Sequence, residues 1–352
     1  GGSIARRTPV GTLQVGPESS SAVPGPACYG QGGTQPTVSD ADLVLGYLDA
    51  GHFLGGRMRL DEAAAVQALE RELATPLGMS VGEAAFGVHA IVNENMAAAA
   101  KSYVSEHGVN SRSCALVAFG GAGPVHACDL AARLGIDTVL IPPRAGVAAA
   151  FGMIVAPVTY DAVRSRRLLY TDLTPAILAE VTRDMTEECH ARMPRTAASG
   201  AIRFAAGVDM RYLGQGYDVT VPIPEGVAGA DAITAIRGAF ETVYRRLYGR
   251  IYRDIALEIM NFRLTASARR KVAEVSGIAA NAAGDGRIGA RRAFCAKKKA
   301  WREFSVHRRD RIAIGAALDG PAIVEENEST TIVPSGARAH VDAHGSLIVK
   351  LG

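Results

Sequence analysis

The chain has 352 residues, 48% of them hydrophobic, and a formal net charge of +3. Its length and apolar content suffice for two or three domains with substantial cores, and the small charge gives no electrostatic ground for a nucleic-acid or membrane partner. The longest apolar stretch, Ala145–Val158, has fourteen residues including Pro157. It falls short of the roughly 20 needed to span a bilayer and reads as buried core.

The first notable segment is a loop of Pro24, Gly25, Pro26, Cys28, Tyr29, Gly30, Gly32 and Gly33. Such a loop is rigid and can be approached closely, so Cys28, Tyr29 and Gly30 are candidates to line a site. Cys28 is also the weak candidate for a nucleophile, although no His or Lys in the loop would generate its thiolate. The five cysteines, at 28, 114, 128, 189 and 295, form no close pair and no Cys-x-x-Cys. Their spacing points to neither a zinc cluster nor a disulfide scaffold and fits a reducing cytoplasm.

Ser39 precedes Asp42 and an apolar helical pattern through Leu48, and Asp61 opens another helix to about Leu73; neither carries an evident site. Ser80 and Glu83 form a capping box ahead of a longer helix, whose apolar face runs through Val81, Ala84, Ala85, Val88, Ile91, Val92, Ala99 and Tyr103 and which ends at Gly108. Asn95 falls on that face, where its amide must bond either the backbone of a neighbouring loop or a ligand, or leave a polar group unpaired at about 1–3 kcal/mol.

The run Ala115–Phe119, Gly120-Gly121-Ala122-Gly123 and Pro124–Leu134 reads as buried strand, glycine turn and helix, and Asp137–Ile141 as a second strand. A βαβ unit of this kind implies parallel strands and a right-handed crossover, with ligands gathering at the strands' carboxyl ends. The glycines let backbone N–H groups approach a ligand, Pro124 suits the first helical turn, and the helix N-terminus adds partial positive charge. His126, in that first turn, could face a ligand. With no carboxylate beside it in sequence, packing or capping is the favoured reading.

From Tyr160 the pattern changes to a second α/β unit. It has a strand around Arg164, Arg166 and Arg167, a helix capped by Thr174-Pro175 to about Met193, and a hairpin of Ile202–Tyr212 with Tyr217–Ile223. A helix over Asp231–Tyr248 and a strand over Leu257–Ala266 complete it. Asp209, Arg211 and Gln215 sit near the hairpin tip, as a solvated salt-bridged turn or a substrate contact. Residues 277–290 have loop composition, and the basic runs that follow read as solvated strand edges. Ile323–Leu351 is β-rich; His340 and His344 share a helical metal spacing but lie in strand and turn, so no metal site is assigned to the chain.

Several segments resemble the hydantoinase A/oxoprolinase family in the family's order. They are Gly1-Gly2-Ser3-Ile4-Ala5, Val15-Gly16-Pro17-Glu18-Ser19, the Pro24–Gly33 loop, Pro36-Thr37-Val38-Ser39-Asp40-Ala41-Asp42, Phe53–Met58, Asn93-Glu94-Asn95-Met96, Gly120–Ala127, Asp209–Tyr217 and Gly320–Glu326. The resemblance implies an α/β fold: a partial ribonuclease-H-like half of an actin/sugar-kinase-type ATPase, then a smaller α/β unit and a β-rich C-terminal region. The corresponding expected bounds are 1–160, 161–276, a linker at 277–300, and 301–352. It further implies that the turn Gly120, Gly121, Ala122, Gly123 and Pro124 binds the adenosine of ATP; by position, Asn95 is added as a candidate nucleotide contact and Cys28, Tyr29, Gly30 and His126 as candidates to line the substrate site.

Family members use ATP with Mg2+ to open cyclic amides such as hydantoins or 5-oxoproline, or serve as subunits of ketone carboxylases. The two phosphate-binding hairpins and the metal ligands would come from an N-terminal half absent from this sequence. Expected partners are therefore that half, a hydantoinase B-type subunit and a cyclic amide. The chain alone is expected to turn over no ATP and to show an open sheet edge with an apolar face; a non-catalytic scaffold half is the alternative.

Overall fold

A computed structural model describes residues 1–193, 202–269 and 284–352. Two compact units divide the chain: residues 1–151 together with 275–352, and residues 152–274. In the first unit, β1 (Ser3–Arg7) and β2 (Leu13–Ser19) form a hairpin. They are followed by α1 (Val38–Val44), α2 (Glu62–Leu69), the short α3 (Thr75–Leu77) and the long α4 (Val81–Glu106). Then come β3 (Leu116–Val117), α5 (Gly123–Leu134), β4 (Thr138–Ile141) and α6 (Ala148–Val155).

The second unit contains β5 (Val158–Leu169), α7 (Pro175–Arg192), β6 (Arg203–Tyr212), β7 (Val219–Pro222), α8 (Gly229–Tyr248) and β8 (Leu257–Ala268). The chain then returns to the first unit with β9 (Asp285–Cys295), β10 (Ala300–Ile312), β11 (Ala317–Asp319), β12 (Ala322–Glu325), β13 (Thr330–Val333), β14 (Arg338–Val341) and β15 (Leu347–Lys350).

The expected βαβ unit is present: β3 and β4 are parallel, joined through α5. It belongs to a five-stranded sheet ordered β11-β14-β15-β4-β3, while β13-β12-β10-β9 make a separate four-stranded sheet. The C-terminal strands, expected to form a region of their own, thus share a sheet with β4 through the antiparallel pair β15–β4. The expected linker also differs. Residues 277–283 lie outside the described residues, and from Asp285 the chain is strand, because β10 supplies an antiparallel partner along Asp285–Cys295.

The sheet ends at β3, where Val117 and Phe119 are more than half exposed. Beyond the buried Ala145, Ala145–Val158 is not the core its hydropathy suggests: α6 has no buried residue, and Phe151, Met153 and Ile154 stand exposed. Among the described residues no helix is long and apolar enough to cross a membrane.

The capping signals fold as read. Ser80 and Glu83 form a capping box, Asp61 caps α2 by accepting from Ala64 N–H, and Thr174 caps α7 by accepting from Ile177 N–H. For α1 the cap lies earlier than expected: Thr37, not Ser39, is the N-cap, paired reciprocally with Asp40.

In the second unit, an antiparallel sheet ordered β5-β8-β6-β7 packs α7 and α8 on one face through Leu178, Met185, Ile236, Phe240 and Tyr244. Asp209 lies within β6 rather than in a solvated turn. It is 2% exposed and accepts hydrogen bonds from Arg263 Nε at 2.7 Å, Thr220 Oγ1 at 2.7 Å and Asn261 Nδ2 at 2.8 Å. Arg211 instead donates to Glu258, and Gln215 to the Tyr244 hydroxyl.

Burial alone would raise the Asp209 carboxyl, but those three donors outweigh it and hold the group below the usual carboxylate range. Its stabilising contribution is therefore complete above that range and lost as pH falls through the folded value. Asp209→Ala should destabilise this unit by about 2 kcal/mol at neutral pH and flatten the acid limb of its stability. Thermal melts of both proteins across the acid range check this, and parallel acid limbs would show that Asp209 adds no pH-dependent stability.

Candidate functional site

Three helices of the first unit converge on a buried polar cluster, built from the start of α1. The Asp40 carboxylate accepts from Thr37 Oγ1, from Thr37 N–H and from Cys28 N–H, the last at 2.7 Å, so it ties the Pro24–Gly33 loop to the helix end. Asp42 lies two residues on. One of its oxygens is 2.8 Å from Nδ1 of His89 on α4, and the other is 3.3 Å from Nε2 of His126 on α5.

The side chains of all three residues are at most 6% exposed, and the imidazole rings stack with centroids 4.7 Å apart. Tyr47 sits edge-on to His89 at 5.2 Å, and its hydroxyl donates to the Phe294 carbonyl. One turn further along, Asn93 of α4 donates to Asp129 of α5 at 2.6 Å, so this hydrogen bond joins the stacked rings in fixing α4 against α5. Burial would push the Asp42 carboxyl up. The adjoining His126 and His89 outweigh it and hold the group well below the usual carboxylate range.

Asp42 also lines a cavity of about 370 Å³. Tyr29, His52 and Phe53 form part of its wall, Gly121, Ala122 and Val125 another, and Glu325–Thr330 a third. Its carboxylates are braced from behind. Arg291 reaches both Asp49 and Glu325 at 2.6 Å, and Glu326 accepts from Arg144 N–H at 2.9 Å and from Ser329 Oγ at 2.7 Å. Among the described residues, no Lys or Arg side chain is part of the wall.

The glycine turn is held by Gly120 N–H donating to the Ala145 carbonyl at 2.8 Å. Gly120 alone of the turn's glycines has positive φ, +90°. Gly121 does not; what restricts it is proximity, since a Cβ there would lie 3.3 Å from the Glu328 carbonyl oxygen. α5 then begins with Pro124 in its first turn and no side-chain cap at Ala122.

The structure brings some of the sequence-derived candidates together and separates others. Gly121, Ala122 and Tyr29 share the cavity wall, with Gly120, Gly123 and Pro124 adjoining in the turn and helix start. Gly30 caps a short 3-10 turn in the left-handed region and is not part of the wall. Asn95 is corrected: it is exposed on α4 and donates to the Val15 carbonyl at 3.2 Å, while Asn93 is the buried amide. Its partner is the backbone of a neighbouring segment.

Cys28 is fully buried beside Leu43, Leu60 and Ala65, and burial together with Asp40 pushes its thiol far up, an environment that disfavours the thiolate a nucleophile needs. His126 does have a carboxylate neighbour, supplied by α1 and therefore invisible to a local reading. The residues missed are Asp42 and His89. Their one sequence signal is an acid and an imidazole placed among the apolar positions of two helical patterns.

The profile described as Hydantoinase/oxoprolinase matches residues 1–162, and that of the Hydantoinase/oxoprolinase C-terminal domain matches residues 174–350. The caprolactamase subunit alpha of Pseudomonas jessenii is 33% identical over 351 residues, covering 97% of this chain and 50% of that protein. The acetophenone carboxylase gamma subunit of Aromatoleum aromaticum is 31% identical, over 99% of this chain and 50% of its own. The crystal structure of the ATP-dependent caprolactamase from Pseudomonas jessenii superposes with a TM-score of 0.80 at 32% identity, covering 100% of this chain and 52% of that one. The chain thus spans about half the length of these relatives and shares the mixed α/β fold of the caprolactamase structure. With the two profiles between them matching residues 1–162 and 174–350, the chain belongs to the hydantoinase/oxoprolinase family.

Proposed function

We propose that this chain is the adenosine-binding part of an ATP-dependent enzyme that opens a cyclic amide, its first unit corresponding to the second half of an actin-like ATPase domain. The observation that carries the reading is the glycine turn at the end of β3, which forms one wall of the Asp42 cavity. Backbone N–H groups there can meet an adenine ring, and carboxylates across the cavity can accept from ribose hydroxyls. A wall without Lys or Arg suits the nucleoside better than the phosphates, whose charge calls for cations, P-loop amides or a metal ion. Phosphate-binding groups and the ligands of Mg2+ are assigned to the remaining half of the enzyme.

ATP would supply a phosphoryl group that turns the amide oxygen into a leaving group, and that transfer is chiefly a matter of positioning and charge stabilisation. What this chain contributes is orientation: Gly121 and Ala122 hold the nucleoside while Asp42 is kept ionised at the cavity wall. Completion by a hydantoinase B-type subunit is part of the proposal, supported by the subunit nature of the caprolactamase and acetophenone carboxylase relatives. The exposed side chains at the β3 edge and on α6 suit such contacts. Ketone carboxylation is the second reading, favoured by the 31% identity to the acetophenone carboxylase subunit.

Calorimetric titration tests the nucleoside assignment. Residues 1–352 should bind adenosine and ATP weakly and with similar affinity, and should release no phosphate from ATP. Binding of ATP far tighter than adenosine, or steady turnover, would overturn it. In the complete enzyme, ATP hydrolysis stimulated by a lactam supports ring opening, and stimulation only by a ketone with bicarbonate supports the second reading.

A further inference from the structure

We propose that Asp42, His89 and His126 form a binding site for one divalent transition-metal ion of the Zn2+ class. Ligand atoms of Asp42, His89 and His126, one from each, lie within 4.8 Å of one another. The Asp42 oxygens stand 2.8 and 3.3 Å from the two ring nitrogens. Ligand atoms around a tetrahedral ion with bonds of about 2.0–2.1 Å are themselves about 3.3 Å apart; the two Asp42 contacts are already at or inside that spacing, and the three donors, within 4.8 Å of one another, are near enough to be drawn onto one ion. Each donor comes from a different helix, and a site assembled this way is held by tertiary packing rather than by a loop.

Charge supplies the second argument. With neutral rings the cluster carries one negative charge in a site where no donor side chain is more than 6% exposed. Among the described residues no Lys or Arg pairs with Asp42. Protonating both rings would instead stack two like charges at 4.7 Å. A divalent cation resolves both problems at once, because it neutralises the carboxylate and leaves the imidazoles neutral. His126 Nδ1 is buried with no partner; bound through Nε2, the ring has that nitrogen left for a proton. Two imidazoles with one carboxylate select Zn2+ or Co2+ over Mg2+ and Ca2+, which prefer oxygen. The ion has an entry path, since Asp42 lines the cavity. This inference does not depend on the nucleoside reading.

The test uses the purified chain after treatment with a chelator and dialysis. Titration with Zn2+ should show one tight site per chain, retained through gel filtration. Titration with Co2+ should give the visible spectrum of a four-coordinate ion without a thiolate charge-transfer band, which separates this site from the five cysteines. Asp42→Asn and His89→Gln should each weaken Zn2+ binding at least about tenfold, with circular dichroism confirming that the variants fold. Folded wild-type chain that takes up no stoichiometric Zn2+ would overturn the proposal whatever the variants do. So would equal uptake by wild type and both folded variants, or a cobalt spectrum dominated by thiolate.

Discussion

Replacing Gly146 with alanine is expected to displace the Glu326–Ser329 rim of the cavity and to weaken adenosine binding about tenfold, the equivalent of about 1.4 kcal/mol. A Cβ at Gly146 would lie 2.4 Å from the Glu328 Cβ, 2.5 Å from its carbonyl oxygen and 2.8 Å from its carbonyl carbon. Two of those three atoms are backbone, so relief requires the loop to move. The same turn donates Arg144 N–H to Glu326, which couples the movement to the cavity wall. Overpacking of this kind costs about 1–3 kcal/mol, or a fall in melting temperature of several degrees for a unit of this size.

Gly121→Ala is the internal control. Its Cβ would meet the Glu328 carbonyl oxygen at 3.3 Å, a contact that a shift of tenths of an ångström relieves. Melting curves and adenosine titrations of the two variants should therefore rank Gly146→Ala well below Gly121→Ala. Equal behaviour would show that the rim is not set by the turn beneath it.

Asp42→Ala should be the most destabilising substitution in the first unit, by about 3–5 kcal/mol. The alanine leaves His89 Nδ1 and His126 Nε2 buried without their shared partner and opens a void where the carboxylate was. The expected fall in melting temperature is roughly 6–20 °C at about 2–4 °C per kcal/mol. Asp42→Asn, which keeps the shape and one acceptor, should lose about half as much. Chemical denaturation at neutral pH measures both, and a loss of under about 1 kcal/mol for the alanine variant would mean that the imidazoles find other partners.

Local chemistry was readable from the sequence where the signal is itself local. The Ser80–Glu83 capping box, the Asp61 and Thr174 caps and the strand-turn-helix at Gly120 all depend on residues within a few positions of one another, and all are present. The heart of the candidate site was not readable, because Asp42, His89 and His126 meet only after three helices have packed. Asn95 and Asn93 show the same limit at smaller scale. Two residues along a helix turn a side chain by about 200°, so an apolar stripe drawn slightly off phase exchanged the exposed amide for the buried one.

Hydropathy misleads at α6, where apolar content suggests an interior segment but Phe151, Met153 and Ile154 face outward. Composition misled after residue 284, where small residues suggested a loop but the partner strand β10 decides the conformation. The basic runs differ in part from solvated strand edges for a similar reason. Arg291 turns inward to Asp49 and Glu325, and Arg309 is only 9% exposed beside Glu326.

The placement of β15 between β14 and β4 has a consequence for the order in which the protein takes shape during synthesis. Ile141 of β4 pairs with Leu347 of β15, so that edge of β4 stays bare while some two hundred intervening residues are translated. The unit formed by residues 152–274 is continuous in sequence and meets no such delay. It can therefore be complete while the cavity-bearing unit still waits for its last strand, a long-range closure of the kind that slows folding and leaves an unpaired edge for chaperones to guard. Ribosome-bound chains halted before residue 347 should accordingly resist protease within residues 152–193 and 202–269 while the first unit is cut.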